Sequence, residues 1–250
     1  MNAKWVLVAG ASRGIGLATA KMLLDKGYSV VAAARNLEVL RSMFSPNEYD
    51  TNKVKLISWD FSAPEMVKDF ADKIYNEVGA INGLVYCAGM QLTLPLSMSQ
   101  PQYAREIFDV NTFSAIEVVR CFSRKKMILS EGASFVLISS LAAKEGALGK
   151  SLYGASKAAL EGFIPSAAAE LAQKNIRLNA IVPGIVKTDM SDAFLSKMTP
   201  VQIVKLEESY PLGLGKPDDV ASIILWLLSL GSRWVTGQTY IIDGGHMVRS

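Results

Sequence analysis

Short apolar runs alternate with longer segments of helical periodicity along the whole chain. Most of the apolar runs are continuous rather than alternating with polar positions, which is typical of strands that are covered on both faces of a sheet. Between them lie segments such as residues 15–27, in which apolar residues recur at helical spacing and a glycine follows the last turn. The runs predict seven strands, at residues 5–10, 29–34, 54–59, 83–88, 134–139, 176–182 and 239–243.

The alternation of strands and helices predicts an α/β fold. Strands that are separated by helices form a parallel sheet with right-handed crossovers, so that helices cover both of its faces. No linker, internal repeat or shift of composition divides residues 1–250, and we predict one doubly wound domain with a seven-stranded parallel sheet. The least regular region, approximately residues 187–216, lies between two late strands and is predicted to form a mobile lid over the substrate.

Composition and charge narrow the range of functions. Half of the residues are apolar and the net charge is +3, which argues against a nucleic-acid partner; the basic run at 124–126 is predicted to be a solvated helix end. The longest apolar stretch, residues 220–231, falls well short of the ~20 residues that span a membrane. The N-terminus lacks the features of a signal peptide. The two cysteines, Cys87 and Cys121, permit no disulfide framework and no zinc site. We therefore expect a cytoplasmic protein without a metal or a membrane partner.

A glycine-rich turn follows the first predicted strand and begins the first predicted helix. It reads VAGASRGIG, and its glycines are Gly10, Gly14 and Gly16. Glycines in this place allow a tight turn and the close approach of the backbone to a pyrophosphate, which sits over the N-terminus of the helix. The position of the turn therefore predicts a Rossmann-type domain that binds a dinucleotide cofactor, rather than a merely structural turn.

The end of the second strand indicates which cofactor is bound. Enzymes that use the unphosphorylated dinucleotide usually have an acidic residue there, about 20 residues after the glycine turn. Here Ala34 occupies that place and Arg35 follows it, while Arg13 adds a second cation inside the glycine turn. A guanidinium matches a 2′-phosphate in charge and geometry. The alternative is that both arginines simply face solvent, but the pattern favours NADP(H).

The stretch YGASK, residues 153–157, places Tyr153 and Lys157 on one face of a helix. A free tyrosine titrates near pH ~10, and a neighbouring ammonium favours the phenolate and lowers that pKa. An isolated pair of this kind is more often an ordinary surface pair. Thirteen residues before Tyr153, however, a predicted strand ends in Ser139 and Ser140. The carboxyl ends of parallel strands face the ligand crevice, so context favours a catalytic role.

Further motifs occur in order along the chain. They are AGASRGIG at 9–16, DFS at 60–62, CAG at 87–89, DVNTFS at 109–114, ISSLAA at 138–143, YGASK, IVPGIVKTDM at 181–190 and IDGG at 242–245. Together they resemble the short-chain dehydrogenase/reductase family, and the resemblance covers the whole chain. It implies an NADP(H)-dependent oxidoreductase that acts on CH–OH groups.

The resemblance implies a role for each matching residue. Tyr153 would be the general acid that protonates a carbonyl oxygen, and Lys157 would lower its pKa and bind the nicotinamide ribose. Ser140 would orient the substrate oxygen, and Asn111 would hold a water that links Lys157 to a proton relay. Asp60 would contact the adenine. The implied cofactor-binding residues are Gly10, Ser12, Arg13, Gly14, Ile15, Gly16, Arg35, Asp60, Phe61, Cys87, Ala88, Gly89, Tyr153, Lys157, Pro183, Gly184, Val186 and Thr188.

The sequence departs from the family pattern near the adenine side of the cofactor. Cys87 stands where an asparagine is usual, and we interpret it as a small buried side chain rather than a reactive thiol. Ala9 replaces the usual threonine before Gly10, and an arginine that often precedes the last helix is missing. His246, the only histidine, is predicted to be a surface or subunit-contact residue without an acidic partner.

The pattern is most similar to bacterial 3-oxoacyl-(acyl-carrier-protein) reductases of fatty acid biosynthesis. It implies a ketone substrate, small or carried by an acidic carrier protein, and a homotetramer in which helices at approximately 101–128 and 153–174 pack across subunits. Reductases of sugars, polyols or secondary metabolites share the same C-terminal motifs, so a function of that kind is an alternative. A different alternative is a non-catalytic NADP(H)-binding sensor or scaffold. An apolar rim suits an acyl chain; its predicted members are Met90, Leu92, Leu94, Leu96, Met98, Met190, Phe194 and Met198.

Overall fold

The structure, a computed structural model, describes residues 4–196 and 198–248. A parallel sheet forms its centre. Its seven strands lie in the order β3-β2-β1-β4-β5-β6-β7, which confirms the predicted doubly wound fold. The strands are β1 (Trp5–Ala9), β2 (Ser29–Ala34), β3 (Val54–Ser58), β4 (Gly83–Tyr86), β5 (Ala133–Ile138), β6 (Ile176–Pro183) and β7 (Thr239–Ile242).

Helices cover both faces of the sheet because alternate residues of each strand enter two separate cores. In β1, Leu7 and Ala9 belong to one core, while Val6 and Val8 belong to the other. All four are fully buried, which explains why this strand is continuously apolar. The helices are α1 (Gly14–Asp25), α2 (Leu37–Met43), α3 (Val67–Val78), α4 (Pro101–Phe108), α5 (Ser114–Phe122), α6 (Ser151–Ala172), α7 (Asp189–Leu195), α8 (Pro200–Glu208) and α9 (Pro217–Leu228).

The strand order reverses direction between β1 and β4, and this reversal positions the site. The chain leaves β1 toward β2 and β3 on one side, then returns to β4 on the other. The loops after these two strands therefore diverge and leave a crevice at the carboxyl edge of the sheet, where ligands bind in open α/β folds. The predicted glycine turn follows β1, and the Cys87–Gly89 segment follows β4.

The helix predicted at 101–128 is interrupted. A π-helical turn, Asp109–Phe113, separates α4 from α5, and α5 ends at Phe122. The π turn contains Asn111, and such turns are frequent at functional sites because they displace one residue out of the regular helical register. The basic run at residues 124–126 follows α5. Two of its members, Arg124 and Lys126, form ion pairs with Asp72 of α3.

The 187–216 insertion contains α7 and α8 among its described residues. Each helix begins with a capping box, with Thr188 capping α7 and Thr199 capping α8. In both boxes the threonine hydroxyl accepts from a backbone N–H of the first turn. Local sequence therefore specifies where these helices begin. No helix among the described residues is long and apolar enough to cross a membrane.

Candidate active site

The glycine turn after β1 forms one wall of a cleft of about 750 Å³ at the carboxyl edge of the sheet. Gly10 and Gly14 have φ of +85° and +54°, a region that side chains disfavour. A Cβ on Gly10 would lie 2.6 Å from the Ala88 backbone N, so the turn packs directly against the segment after β4. The turn is also tied to β2, because Gly10 N donates to Ala33 O at 2.8 Å. Its conformation requires glycine and presents the N-terminus of α1 to the cleft.

Two exposed arginines stand at the same end of the cleft. Arg35 follows the end of β2, and Arg13 precedes α1; both line the cleft. Arg13 lies 4.0 Å from Asp189 of α7, in an exposed pair that contributes little stability. Asp60, which follows β3, is exposed, lines the cleft and accepts from the Ser62 backbone N–H at 3.0 Å. This end of the cleft therefore carries two cations suited to a phosphate, and the Asp60 carboxylate is suited to hydroxyl or amine donors.

Ser140, Tyr153 and Lys157 meet at the other end of the cleft. Ser140 follows β5 directly, and the other two lie one turn apart near the start of α6. Tyr153 is 8% exposed, Lys157 is 5% exposed, and both line the cleft. The Lys157 ammonium donates to Ile138 O at 2.8 Å, which holds it against the end of β5. A strand end and a helix face thus bring together groups that are 13 residues apart in the chain.

The pKa of Tyr153 differs from what the Tyr153–Lys157 pair predicts. Burial raises the pKa of Tyr153, and its hydrogen bond with Ser140 opposes that shift only in part. Burial also lowers the pKa of Lys157 to about 8. Burial therefore sets the net direction for Tyr153, and the role of Lys157 in lowering the tyrosine pKa stays a prediction. The phenol is held in its protonated form, which is the form that donates a proton.

Asn111 is fully buried behind the cleft wall rather than exposed on it. Its Oδ1 accepts from Met90 N at 2.8 Å, and its Nδ2 donates to Met90 O at 2.9 Å and to Ser156 Oγ at 3.0 Å. A Cβ on Gly89 would lie 3.2 Å from Asn111 Oδ1 and 3.4 Å from Lys157 Nζ. Asn111 therefore fixes the backbone after β4 against α6. Its predicted role in holding a water stays a prediction.

The strip after β6 forms the third wall of the cleft. Pro183, Gly184, Val186 and Thr188 all line it. Gly184 N donates to Ile242 O at 2.9 Å, which ties the strip to β7. A Cβ on Gly14 would lie 3.1 Å from Thr188 Cγ2, so this strip also contacts the glycine turn. The strip joins the two ends of the cleft, as expected for residues that border one extended ligand.

The structure brings almost all of the predicted residues to this one cleft. Asn111 is the exception among them. The predicted residues that line the cleft are Gly10, Ser12, Arg13, Gly14, Ile15, Gly16, Arg35, Asp60, Phe61, Cys87, Ala88, Gly89, Ser140, Tyr153, Lys157, Pro183, Gly184, Val186 and Thr188.

Cys87 has the properties predicted for it. It lies partly buried beside the glycine turn, where a Cβ on Gly16 would be 3.2 Å from the Cys87 Cβ. Burial raises the pKa of its thiol to about 12. The thiol form is therefore strongly favoured, and Cys87 acts as a small side chain rather than a nucleophile.

The apolar rim is smaller than predicted. Met90, Met190 and Phe194 line the cleft, together with Leu206 of α8. Leu96, by contrast, is 77% exposed and lies along a separate shallow groove with Leu148. The chain after residue 91 turns away from the site, and only its first residues reach it. Side-chain polarity alone did not indicate where this loop turns.

Several residues of the site carried no local sequence signal. Glu161, one turn after Lys157, accepts from Ser139 Oγ at 2.8 Å and pairs with Lys144 at 2.6 Å. This network clamps the segment around Ser140 to α6. Lys150 is 8% exposed, lines the cleft and donates to Thr93 Oγ1 at 2.6 Å. These contacts join residues that are 17 to 57 positions apart, so spacing within the sequence did not predict them.

The prediction that His246 lacks an acidic partner is wrong. Its Nε2 lies 3.0 Å from Glu145 Oε2, and the ring lines the cleft. The two residues are 101 positions apart, and only the packing of the C-terminal turn beside the loop after β5 brings them together. Among the described residues, no group of three or more His, Cys, Asp or Glu side chains is arranged to hold a metal.

Lys157→Met is expected to stabilise the fold at neutral pH while removing a residue of the site. A lysine whose folded pKa is lowered binds its proton less tightly when folded than when unfolded. Lys157 therefore destabilises the fold fully at pH values below its folded pKa of about 8. The destabilisation disappears as pH rises through the pKa of the unfolded lysine. We expect the unfolding free energy of the variant to exceed that of the wild-type protein by on the order of 2–3 kcal/mol at pH 7. This difference should decrease as pH rises toward ~10.5.

Urea titrations of both proteins at neutral and alkaline pH measure this difference. Lys205→Met, an exposed lysine on α8 whose charge the solvent already screens, is the matched control. An equal gain for the variant at both pH values would contradict the effect.

Comparison with known proteins assigns the family. A family model described as enoyl-(acyl carrier protein) reductase matches residues 10–247. A carbonyl reductase family member 4 from Xenopus laevis is 34% identical over 239 residues, which cover 95% of each chain. A 3-oxoacyl-(acyl-carrier-protein) reductase FabG from Thermotoga maritima is 32% identical over 249 residues and 99% of each chain.

Solved structures agree with this assignment. A short-chain type dehydrogenase/reductase from Mycobacterium ulcerans, 28% identical, superposes with a TM-score of 0.90 over 100% of this chain and 91% of the other. A gluconate 5-dehydrogenase from Burkholderia cenocepacia, solved in complex with NADP and tartrate, has the same TM-score at 26% identity, over 100% of this chain and 97% of that one. The protein described here is an oxidoreductase that belongs to the short-chain dehydrogenase/reductase family.

Proposed function

We propose that this protein reduces a ketone to a secondary alcohol with NADPH, and that Tyr153 is the general acid. The observation that carries the proposal is the protonated, buried phenol of Tyr153 in the cleft wall, hydrogen-bonded to Ser140 and one helical turn from Lys157. A positioned acid of this kind contributes about 10²–10⁴-fold to a rate. At neutral pH a raised pKa keeps the Tyr153 phenol in the protonated form that a reduction requires, and we therefore propose reduction as the working direction.

The residues of the cleft fit a phosphorylated dinucleotide. Side chains on Gly10 and Gly16 would collide with the backbone around them, and both glycines line the cleft. Gly10, Gly14 and Gly16 would hold the pyrophosphate over α1, and Arg13 and Arg35 would bind the 2′-phosphate. Asp60 would contact the adenine, and the strip from Pro183 to Thr188 would hold the nicotinamide end. When bound, the nicotinamide supplies a hydride to the carbonyl carbon.

The chain's own groups act on the carbonyl oxygen. Ser140 Oγ accepts from the Ala142 backbone N–H at 3.3 Å, which orients the hydroxyl and leaves its hydrogen to point at an acceptor. Ser140 and Tyr153 would both donate to the substrate oxygen as negative charge develops on it. Tyr153 transfers its proton to that oxygen. The ammonium of Lys157, held by Ile138 O, stabilises the phenolate that remains.

We further propose a 3-oxoacyl thioester, carried by an acyl carrier protein, as the substrate. Met90, Met190, Phe194 and Leu206 make the wall beside Tyr153 apolar, which suits an acyl chain. The relatives named as 3-oxoacyl-(acyl-carrier-protein) reductases support this choice. The rivals are a sugar acid, suggested by the gluconate 5-dehydrogenase structure, and an enoyl thioester, suggested by the description of the family model.

The substrate proposal is tested by following NADPH oxidation with a matched panel. It contains a 3-oxoacyl thioester, the trans-2-enoyl thioester of the same chain length and a keto sugar acid, with the thioesters offered free and on acyl carrier protein. The proposal expects the highest kcat/KM for the carrier-bound 3-oxoacyl substrate. Preference for either rival would overturn the substrate class, and tight NADPH binding without turnover of any compound would indicate the non-catalytic sensor instead.

Arg35→Ala is expected to weaken NADPH binding by roughly 10- to 100-fold, because a charge-assisted contact to the 2′-phosphate contributes about 1.5–3 kcal/mol. NADH, which lacks that phosphate, is expected to bind equally well to both proteins. Arg41→Ala, which removes an exposed arginine of α2 outside the cleft, is the matched control. Fluorescence titration of both dinucleotides gives the four affinities, and an equal loss for NADH would argue against a 2′-phosphate site.

We also propose that the protein is cytoplasmic and forms a homotetramer through α4, α5 and α6. The exposed face of α6 carries small residues, among them Ala155, Gly162 and Ala169, which permit close helix packing. Sedimentation of the purified protein measures the assembly directly. A monomer at micromolar concentration would contradict this part of the proposal.

A further inference from the structure

His246 joins three separate segments at the mouth of the cleft. It comes from the C-terminal turn, and its Nε2 lies 3.0 Å from Glu145 Oε2 in the loop between β5 and α6. Its Nδ1 lies 3.0 Å from Ser209 O, just after α8. The ring stacks on Tyr210, with ring centroids 4.4 Å apart and planes inclined by 19°. One side chain therefore connects the 187–216 insertion to the wall that carries Ser140 and Tyr153.

The chemistry of the two partners determines which form of the His246 ring satisfies both contacts. A backbone carbonyl and a carboxylate can only accept hydrogen bonds. Both ring nitrogens must therefore donate, and only the imidazolium has a proton on each. A neutral ring has one N–H and can donate either to Glu145 or to Ser209 O. Its other nitrogen then places a lone pair against the lone pair of the remaining acceptor. The observed contacts are complete only when His246 is positively charged.

Tyr210 transmits the position of His246 to the catalytic end of the cleft. Its hydroxyl accepts from the Ile185 backbone N–H at 3.1 Å. Its ring also covers Gly184, since a Cβ there would lie 2.9 Å from Tyr210 Cε1. Tyr210 is 4% exposed, and burial raises the pKa of its phenol, so it stays neutral over the range in which histidines titrate. Movement of the stacked pair would therefore shift the strip that borders Tyr153's cleft.

The other charged groups near this contact have separate partners. Asp243 accepts from the backbone N–H groups of Gly245 and Met247, which shapes the turn that presents His246. Lys150 lines the same cleft and donates to Thr93. The side chain of Glu145 is 41% exposed and that of His246 is 18% exposed, so the ion pair is partly screened by solvent. Glu145 is accordingly the carboxylate whose contact with His246 depends on the charge of the ring.

We propose that His246 is a positioning residue that, as an imidazolium, latches the 187–216 insertion to the Glu145 loop and so controls the opening of the substrate cleft. Deprotonation of His246 removes one of its two hydrogen bonds and releases one side of the latch. The latch is closed at acidic pH and opens as pH rises. This inference rests on the proposed function only in taking the cleft as the substrate site, since the contact itself needs no substrate.

Hydrogen–deuterium exchange of peptides covering residues 200–210 tests the latch. Measurements at pH ~5.5 and pH ~9 bracket the range in which histidine changes charge, and labelling times are scaled to the intrinsic exchange rate at each pH. We expect protection of this segment to fall roughly five- to tenfold from acidic to alkaline pH, as one ion pair with a charge-assisted bond is lost. Peptides of β5, Ala133–Ile138, are the internal control and should stay protected.

Two substitutions at His246 separate the latch from simple packing. His246→Phe keeps the stack on Tyr210 but removes both donors, and low protection is expected at both pH values. His246→Arg keeps a planar ring-stacking cation that is charged at both pH values, and protection is expected to persist at pH ~9. Glu145→Gln should weaken the acidic-pH protection, whereas Glu77→Gln, an exposed carboxylate on α3, should leave it unchanged.

Equal protection of the wild-type protein and His246→Phe at pH ~5.5 would overturn the latch, as would a pH effect that persists in His246→Arg. Turnover measurements are a separate arm. If the proposed reaction is correct, His246→Phe at acidic pH should change KM for the ketone far more than the affinity for NADPH. If no turnover is found for any substrate, the exchange experiment still decides the latch, so the two failures are distinguishable.

Discussion

Tyr153→Phe is expected to lower kcat by roughly 10²–10⁴-fold while leaving NADPH affinity unchanged. The substitution removes the one hydroxyl that is buried, protonated and hydrogen-bonded to Ser140 at the end of the cleft. The ring remains, so the wall of the cleft keeps its shape. Loss of one hydroxyl and its hydrogen bond costs about 0.5–1.5 kcal/mol, and the protein is expected to stay folded.

Steady-state kinetics with the preferred ketone and a fluorescence titration with NADPH measure both quantities. The matched control is Tyr103→Phe, which removes a partly buried hydroxyl on α4 away from the cleft lining. A Tyr153→Phe protein that retains most of its turnover would show that another group donates the proton. A parallel loss of cofactor affinity would show that the hydroxyl binds the ribose rather than acting on the substrate.

Gly16→Ala is expected to destabilise the protein by about 1–3 kcal/mol, the usual range for overpacking. Alanine is normally the better helix residue by up to about 1 kcal/mol, so helix propensity alone predicts the opposite sign. Here the added Cβ would lie well inside contact distance of the Gly10 carbonyl and 3.2 Å from the Cys87 Cβ. Neither Gly10 nor Cys87 can move away without disturbing the glycine turn. NADPH affinity is therefore expected to fall at least tenfold.

Gly162→Ala is the matched control for this substitution. Gly162 lies in α6, and a Cβ there would meet nothing within 4 Å. Within one subunit only the helix propensity changes, so we expect the control to stabilise the unassembled subunit by about 0.5–1 kcal/mol. Urea unfolding and NADPH titration of both variants make the comparison. Stabilisation by Gly16→Ala would mean that the turn is not packed as the structure shows.

The fold was predictable because every strand carries its own signal. The seven predicted strands lie within about two residues of those observed, since a strand buried on both faces must be continuously apolar. The order of the strands was not predicted, because a right-handed crossover fixes the hand of each connection but not which strands are neighbours. The break of the 101–128 helix at the π turn carried no comparable signal. It depends on Asn111 and Thr112 bonding to Met90 and Ser156 in other elements.

The candidate site was predictable where its residues lie in short motifs. Tyr153 and Lys157 are one helical turn apart, and Gly10 to Gly16 form one turn. Their pKa values were not predictable from that spacing. The sequence shows a charge next to a phenol, but the direction of the tyrosine shift depends on how deeply both groups are buried. Burial is a property of the assembled domain.

The sequence by itself determined the sheet, the glycine turn, the cationic end of the cleft and the acid with its lysine neighbour. All of these depend on contacts within a few residues or on the regular period of a strand or helix. Only the tertiary structure decided that Glu161 ties Ser139 to Lys144, and that His246 meets Glu145 and Ser209. Their partners come from loops and ends of elements far apart in the chain, and packing of the completed sheet and its helices is what brings them within hydrogen-bonding distance.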